Sequence, residues 1–224
     1  MDFTKAIRTT RLRFSSFCIA FCAALGLAAL ALTMATLWPL QASAVSYEGG
    51  PIETISAAAL FAAGVTALYR LPGLNRMYIG LVYLLLAERE LDAGIYPMGS
   101  KFYWALSSID TLLDIAVLQV VLAVLIIGGF ALHGIPNALR ALKLRAPFLL
   151  VFVLAGLLAC VAQVLEEVSS VYAADLSHVM IVRLLVWEEI LEMFFSIGML
   201  AAVLIGWPKT CFHEAQNRSR PKLF

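Results

Sequence analysis

The stretch APFLLVFVLAGLLACVAQVLEEV, Ala146 to Val168, decides the fold. From Ala146 to Leu165 it carries no charge. About 20 apolar residues are what an α-helix needs to cross a hydrocarbon core of roughly 30 Å. Arg140, Lys143 and Arg145 stand just before this run, and Glu166-Glu167 closes it. Working outward, comparable apolar runs occupy 17–40, 51–69, 77–91, 109–132 and 180–205, beside this one at 146–168. The expected fold is therefore all-α, a polytopic six-transmembrane-helix bundle over 17–206. A basic N-terminus (1–16) and a tail (207–224) flank it. The composition, 62% hydrophobic and only 14% charged, excludes a soluble globular enzyme, a disordered chain and a coiled coil. A formal net charge of +1 leaves no field to attract nucleic acid, so the partner it implies is the lipid bilayer. Cys18, Cys22, Cys160 and Cys211 form no Cys-x-x-Cys pair, so neither a zinc ribbon nor a disulfide framework is indicated.

Loop charges set the orientation. Lys5, Arg8, Arg11 and Arg13 lie before the first run, and Arg70 and Arg76 lie between the second and third. Arg140, Lys143 and Arg145 lie between the fourth and fifth, and Lys209, Arg218, Arg220 and Lys222 fill the tail. Thirteen of the 16 basic residues thus fall on alternate connections, while the opposite connections hold only Lys101. Positive charge stays inside, so both termini are expected in the cytoplasm. A rival reading takes the first run as a secretory signal cleaved near Ala42-Ser43-Ala44. The run is longer than a signal core. The segment Pro136 to Arg145 mixes Leu and Ala with basic residues and suits an amphipathic helix on the inner leaflet. Tyr96, Phe102, Tyr103 and Trp104 in the outer loop from Ala93 to Ser108 fit an interfacial aromatic belt, or a lid.

The acids fall on the other side. Apart from Asp2 and Glu214, the other 13 of the 15 lie at or near outer helix ends or in outer loops: Glu48, Glu53, Glu88, Glu90, Asp92, Asp110, Asp114, Glu166, Glu167, Asp175, Glu188, Glu189 and Glu192. Counted from the basic inner ends at 1.5 Å per residue, Glu88 and Glu90 come about 18–21 Å across, and Glu53 and Glu192 about 25 Å. Those four sit below the outer interface. A carboxylate there costs about 2.5 kcal/mol or more if it faces lipid, so it should face the bundle interior. Spacing supports convergence: Glu188 and Glu192 share a helix face, as do Glu88 and Asp92, and Asp110 and Asp114. Arg89, Arg183 and His178 are too few to neutralise these acids, so either some hold a proton or a cation is bound.

In Gly50-Pro51-Ile52-Glu53, Arg89-Glu90-Leu91-Asp92 and Glu188-Glu189-Ile190-Leu191-Glu192 the chain resembles a group of small multi-pass bacterial membrane proteins carrying these motifs. The resemblance runs from the second to the sixth helix. It implies a bacterial inner (cytoplasmic) membrane location and no particular activity.

The favoured expectation is a periplasm-facing, carboxylate-rich cavity that binds protons or a divalent metal ion, for ion-coupled transport or sensing. Glu53, Glu90, Glu188 and Glu192 would be the primary groups. Glu88, Arg89, Asp92, Glu166, Glu167, His178, Arg183 and Glu189 would support them. Carboxylates suit hard cations such as Mg²⁺, Ca²⁺ or Mn²⁺. Without a Glu-x-x-His, a di-iron site is disfavoured. The inner halves of the helices hold few polar groups besides Thr33 and Thr66, so no path through the membrane is legible. One alternative is a membrane-embedded metal-dependent enzyme acting on a lipid or prenyl substrate through a metal-bound water. Another is an assembly subunit whose acids meet a membrane-protein partner, or a second copy of the chain. A bland reading has Arg89 and Arg183 bridging acids to lock the bundle. Ser169, Ser170 or Ser177 beside Asp175 and His178 would be needed for a nucleophilic triad, but these are ordinary loop residues.

Overall fold

The computed structural model describes residues 26–27, 29–47, 49–70, 73, 76–91 and 93–206. These are 86% helical and contain no strand. The helices are α1 (29–37), α2 (Pro39–Ala42), α3 (Pro51–Arg70), α4 (Met77–Arg89), α5 (Lys101–Leu113), α6 (Ala116–Gly129), α7 (Ile135–Lys143), α8 (Pro147–Val171) and α9 (His178–Ile205). A π-helical turn, Phe130–Gly134, joins α6 to α7, so Ala116–Lys143 runs on as a single 28-residue helix.

Among the described residues, three helices are long and apolar enough to cross a membrane: α3, the continuous α6–α7, and α8. Their outward surfaces agree. Val120, Val124 and Ile127 on α6, and Leu150 and Leu157 on α8, are exposed. Such a surface would be a liability in water and is the ordinary surface of a helix in lipid. The 28-residue α9 is as long, but Glu188, Glu189 and Glu192 interrupt its apolar character. At 13 residues, α4 reaches only about 20 Å.

Helix bounds follow the apolar runs closely in α3, α4, α8 and α9 and depart from the run expected at 109–132. The run expected at 109–132 is broken: α5 ends at Leu113, Asp114 caps it, and α6 starts at Ala116. The acids Asp110 and Asp114 sit inside what reads as one apolar stretch. Ser100 starts α5 by accepting the Tyr103 N–H on its hydroxyl at 3.1 Å, so much of the outer loop expected from Ala93 to Ser108 is helix. The amphipathic segment is helical as α7, joined directly to α6. Cys18, Cys22 and Cys211 lie outside the described residues, and Cys160 is a free thiol on an exposed part of α8.

The chain forms two compact units. Of the described residues, one takes those up to Tyr47 and Val161–Leu191; the other takes those from 49 to 160 and from 192 to 206. In the first, Ala35, Ala162, Leu184 and Val186 are buried. The core of the second is Leu60, Ala63 and Ala67 of α3, Tyr83 and Ala87 of α4, Ala155 of α8 and Met199 of α9. Small residues let these helices approach closely, which is how helices associate where lipid supplies no hydrophobic drive. A Cβ on Gly198 would stand 2.7 Å from the Ala155 Cβ. At the far end, the Arg70 guanidinium donates to the Leu204 carbonyl at 2.7 Å, capping α9 just before Gly206 turns with φ +65°.

Candidate functional site

The site is built at the start of α3. Gly50 precedes the first helical residue, Pro51, whose missing N–H is no loss there. Glu53 then falls on the third helical position and reaches back: its Oε2 accepts the Gly49 N–H at 2.6 Å. The bond is like the return arm of a capping box but reaches one residue past the N-cap Gly50, and it holds the carboxylate at the helix mouth. Gly49 has φ +73°, and a Cβ there would collide with the Ile95 side chain. Gly49→Ala is therefore expected to lower the thermal midpoint in detergent by an amount matching about 2 kcal/mol, from backbone strain plus the clash. An unchanged midpoint would mean the turn is not held as described.

Glu90 caps the C-terminus of α4, and Glu192 lies where α9 enters the second unit. The charges of Glu192, Arg89 and Glu53 all act on Glu90. Three helices of one unit thus bring three carboxyl groups and one guanidinium within electrostatic reach. All three carboxyl residues are half-buried, whereas Arg89 is exposed. A second contact joins α4 to α5: Glu88 hydrogen-bonds the side chain of Asp110, with Asp114 acting on it from farther off. Ionised carboxylates are acceptors only, so this contact needs a proton between the two. Glu88→Ala, which removes the contact, should be less stable than Glu88→Gln, which can still donate to Asp110, by about 1 kcal/mol. Equal melting midpoints of the two variants would count against the pairing.

The remaining expected residues belong to the first unit, apart from Asp92 and Glu48, which lie outside the described residues. Glu166 accepts from the Gln163 amide, and Glu167 is exposed. His178 is exposed at the first position of α9. Glu188 and Glu189 are half-buried on the same helix. Arg183 donates to the Met180 sulfur at 3.9 Å, and its buried Nε has no partner among the described residues. Ser177 accepts the Met180 N–H at 3.3 Å, the position of a helix cap. Among the described residues no three His, Cys, Asp or Glu side chains are grouped so as to hold a metal ion.

Two residues that the sequence reading passed over lie beside the acids. Ser56 and Ser196 are 1% and 0% exposed, and neither hydroxyl has a hydrogen-bond partner among the described residues. Ser56 is three residues after Glu53, and Ser196 four after Glu192. Each therefore shares a helix face with its acid, one turn farther along. The signal was present in that spacing, but a lone Ser in an apolar helix reads as a small packing residue. Below them the core turns apolar, with the Tyr83 hydroxyl 3.8 Å from the Met199 sulfur. No protein-family model matches this chain, and no curated protein or solved structure matches it significantly.

Proposed function

We propose that this chain is a multi-pass protein of the bacterial inner membrane whose grouped carboxyls, facing the periplasm, take up protons or a cation in a wet pocket. The observation that carries this reading is the meeting of Glu53, Glu90 and Glu192, from three helices, with Arg89 beside them. Like charges held together at a membrane depth are expensive unless a proton or a cation relieves them. The lack of a three-ligand group among the described residues favours protons over a resident divalent metal. That same observation gives no support to a metal-dependent enzyme acting on a lipid or prenyl substrate. The apolar core below the acids, formed by Leu60, Ala63, Ala67 and Met199, supports binding or sensing over transport.

The test is thermal unfolding of the detergent-purified chain. The wild type is expected to gain stability on acidification from about pH 9 to about pH 5, or on addition of a divalent cation at fixed pH, with the first effect larger. Glu192→Gln keeps the size and hydrogen-bonding capacity of the side chain and removes its charge. It should abolish most of that gain. A gain of full size in the variant would remove Glu192 from the site. A wild-type midpoint indifferent to both protons and divalent cations would overturn the reading.

A further inference from the structure

We propose that Ser56 and Ser196 hold buried water at the floor of the carboxyl group, joining Glu53, Glu90 and Glu192 into a single protonation unit. This rests on the proton-binding reading above and extends it by naming what the acids are linked through.

The observation is a pair of fully buried hydroxyls without partners. A buried hydroxyl left unbonded costs roughly 1–3 kcal/mol, and buried polar groups in proteins are almost always satisfied by protein or by ordered water. One such group could be an accident of packing. Two, on different helices and each one turn from an acid, form a layer. Ser56 is four residues before Leu60, and Ser196 three before Met199; Leu60 and Met199 belong to one core cluster. Both hydroxyls therefore lie on helix faces turned to the same interior, between the carboxyls and the apolar core. Water there has polar neighbours on both sides: hydroxyls that can donate and accept, and carboxyls that can do likewise when protonated.

The chemistry is proton exchange without net change in the relay. As a carboxyl releases its proton to the water, the water passes one of its own to the next oxygen. A hydroxyl that accepts a proton gives one up in the same movement, so only the carboxyls change charge. Inward, the relay meets the Met199 sulfur, to which the Tyr83 hydroxyl donates, and beyond that single hydroxyl the core is alkyl side chains with no exchangeable proton. Protons entering the unit leave by the way they came.

Infrared difference spectroscopy of the full chain in detergent, taken between about pH 9 and about pH 5, tests this. A carboxyl carbonyl band is expected to grow on acidification. Together with it, an O–H band should change that shifts in water enriched in the heavy oxygen isotope. The double variant Ser56→Ala/Ser196→Ala, which keeps the small size that packing needs, should retain the carboxyl band and lose the isotope-sensitive band. Should the double variant fail to fold, each single variant is expected to weaken that band by about half. An isotope-sensitive band of full strength in the variants, or none in the wild type beside a titrating carboxyl band, overturns the water relay alone. A wild type whose carboxyl band does not titrate overturns the proton-binding reading and the relay with it.

Discussion

Gly80→Ile is expected to lower the thermal midpoint of the detergent-purified chain by roughly 6–12 °C, matching about 3 kcal/mol. Gly80 on α4 and Gly64 on α3 face each other across the closest helix pair in the second unit. A Cβ on either would stand 3.2 Å from the carbonyl oxygen of the other. On Gly80 it would also collide with the Leu68 side chain, and on Gly64 it would come 2.9 Å from the Leu84 Cγ. A leucine tip can rotate away, but a carbonyl oxygen in a helix moves only if the helix moves. Adding a branched side chain therefore separates α3 from α4. Since these helices carry Glu53 and Glu90, the same variant should lose the response to acid as well as stability. Gly128→Ala and Gly156→Ala are the controls, since a Cβ at either meets nothing within 4 Å. Alanine is the better helix former, so these should be neutral or slightly stabilising. Equal losses at Gly80 and Gly156 would show that close approach of α3 and α4 does not govern the effect.

What was legible in the sequence, and what was not, divides along a physical line. Helix existence depends on local apolar content, which the chain displays openly; α3 and α8 stand within a few residues of their apolar runs. The break between α5 and α6 was hidden because one apolar run covers both sides of it. Asp110 and Asp114 were its markers, yet in a search for buried acids they read as a pair on one face of a single helix. The capping role of Glu53 was half visible: the favourable helix-start position was read from Gly-Pro, whereas the hydrogen bond to Gly49 needed backbone geometry. The expected convergence of Glu53, Glu90, Glu188 and Glu192 rests on depth counted from the basic ends and on the shared helix face of Glu188 and Glu192; of these, Glu188 belongs to the first unit and the other three to the second. The partnership of Glu88 with Asp110 could not be read that way, because helix spacing relates residues within an element and says nothing about which neighbour an element packs on. Six spans and cytoplasmic termini rest on loop charge. The described helices bear directly on three spans.

The double variant Glu90→Gln/Glu192→Gln is expected to be more stable than the wild type at about pH 9, by about 2 kcal/mol or roughly 4–8 °C, and equal to it at about pH 5. The sign follows from Coulomb's law. At high pH in the presence of a chelator, the carboxylates near Glu90 repel, and Arg89 offsets only part of this because it is exposed. Replacing two of them with amides of the same shape removes the repulsion and keeps their hydrogen-bonding capacity. Proton uptake at low pH is expected to relieve the repulsion, so the substitution should change little there. A locked structural network would behave in the opposite way: removing acids that bridge arginines would destabilise at high pH, where the bridges form, and most of all at low ionic strength. The two outcomes differ in sign, so a single pair of melting curves separates them. Stability gained by deleting the acids would also say why they belong to function. Charges that weaken a fold are kept where something binds to relieve them, and on the function proposed above that ligand is the proton.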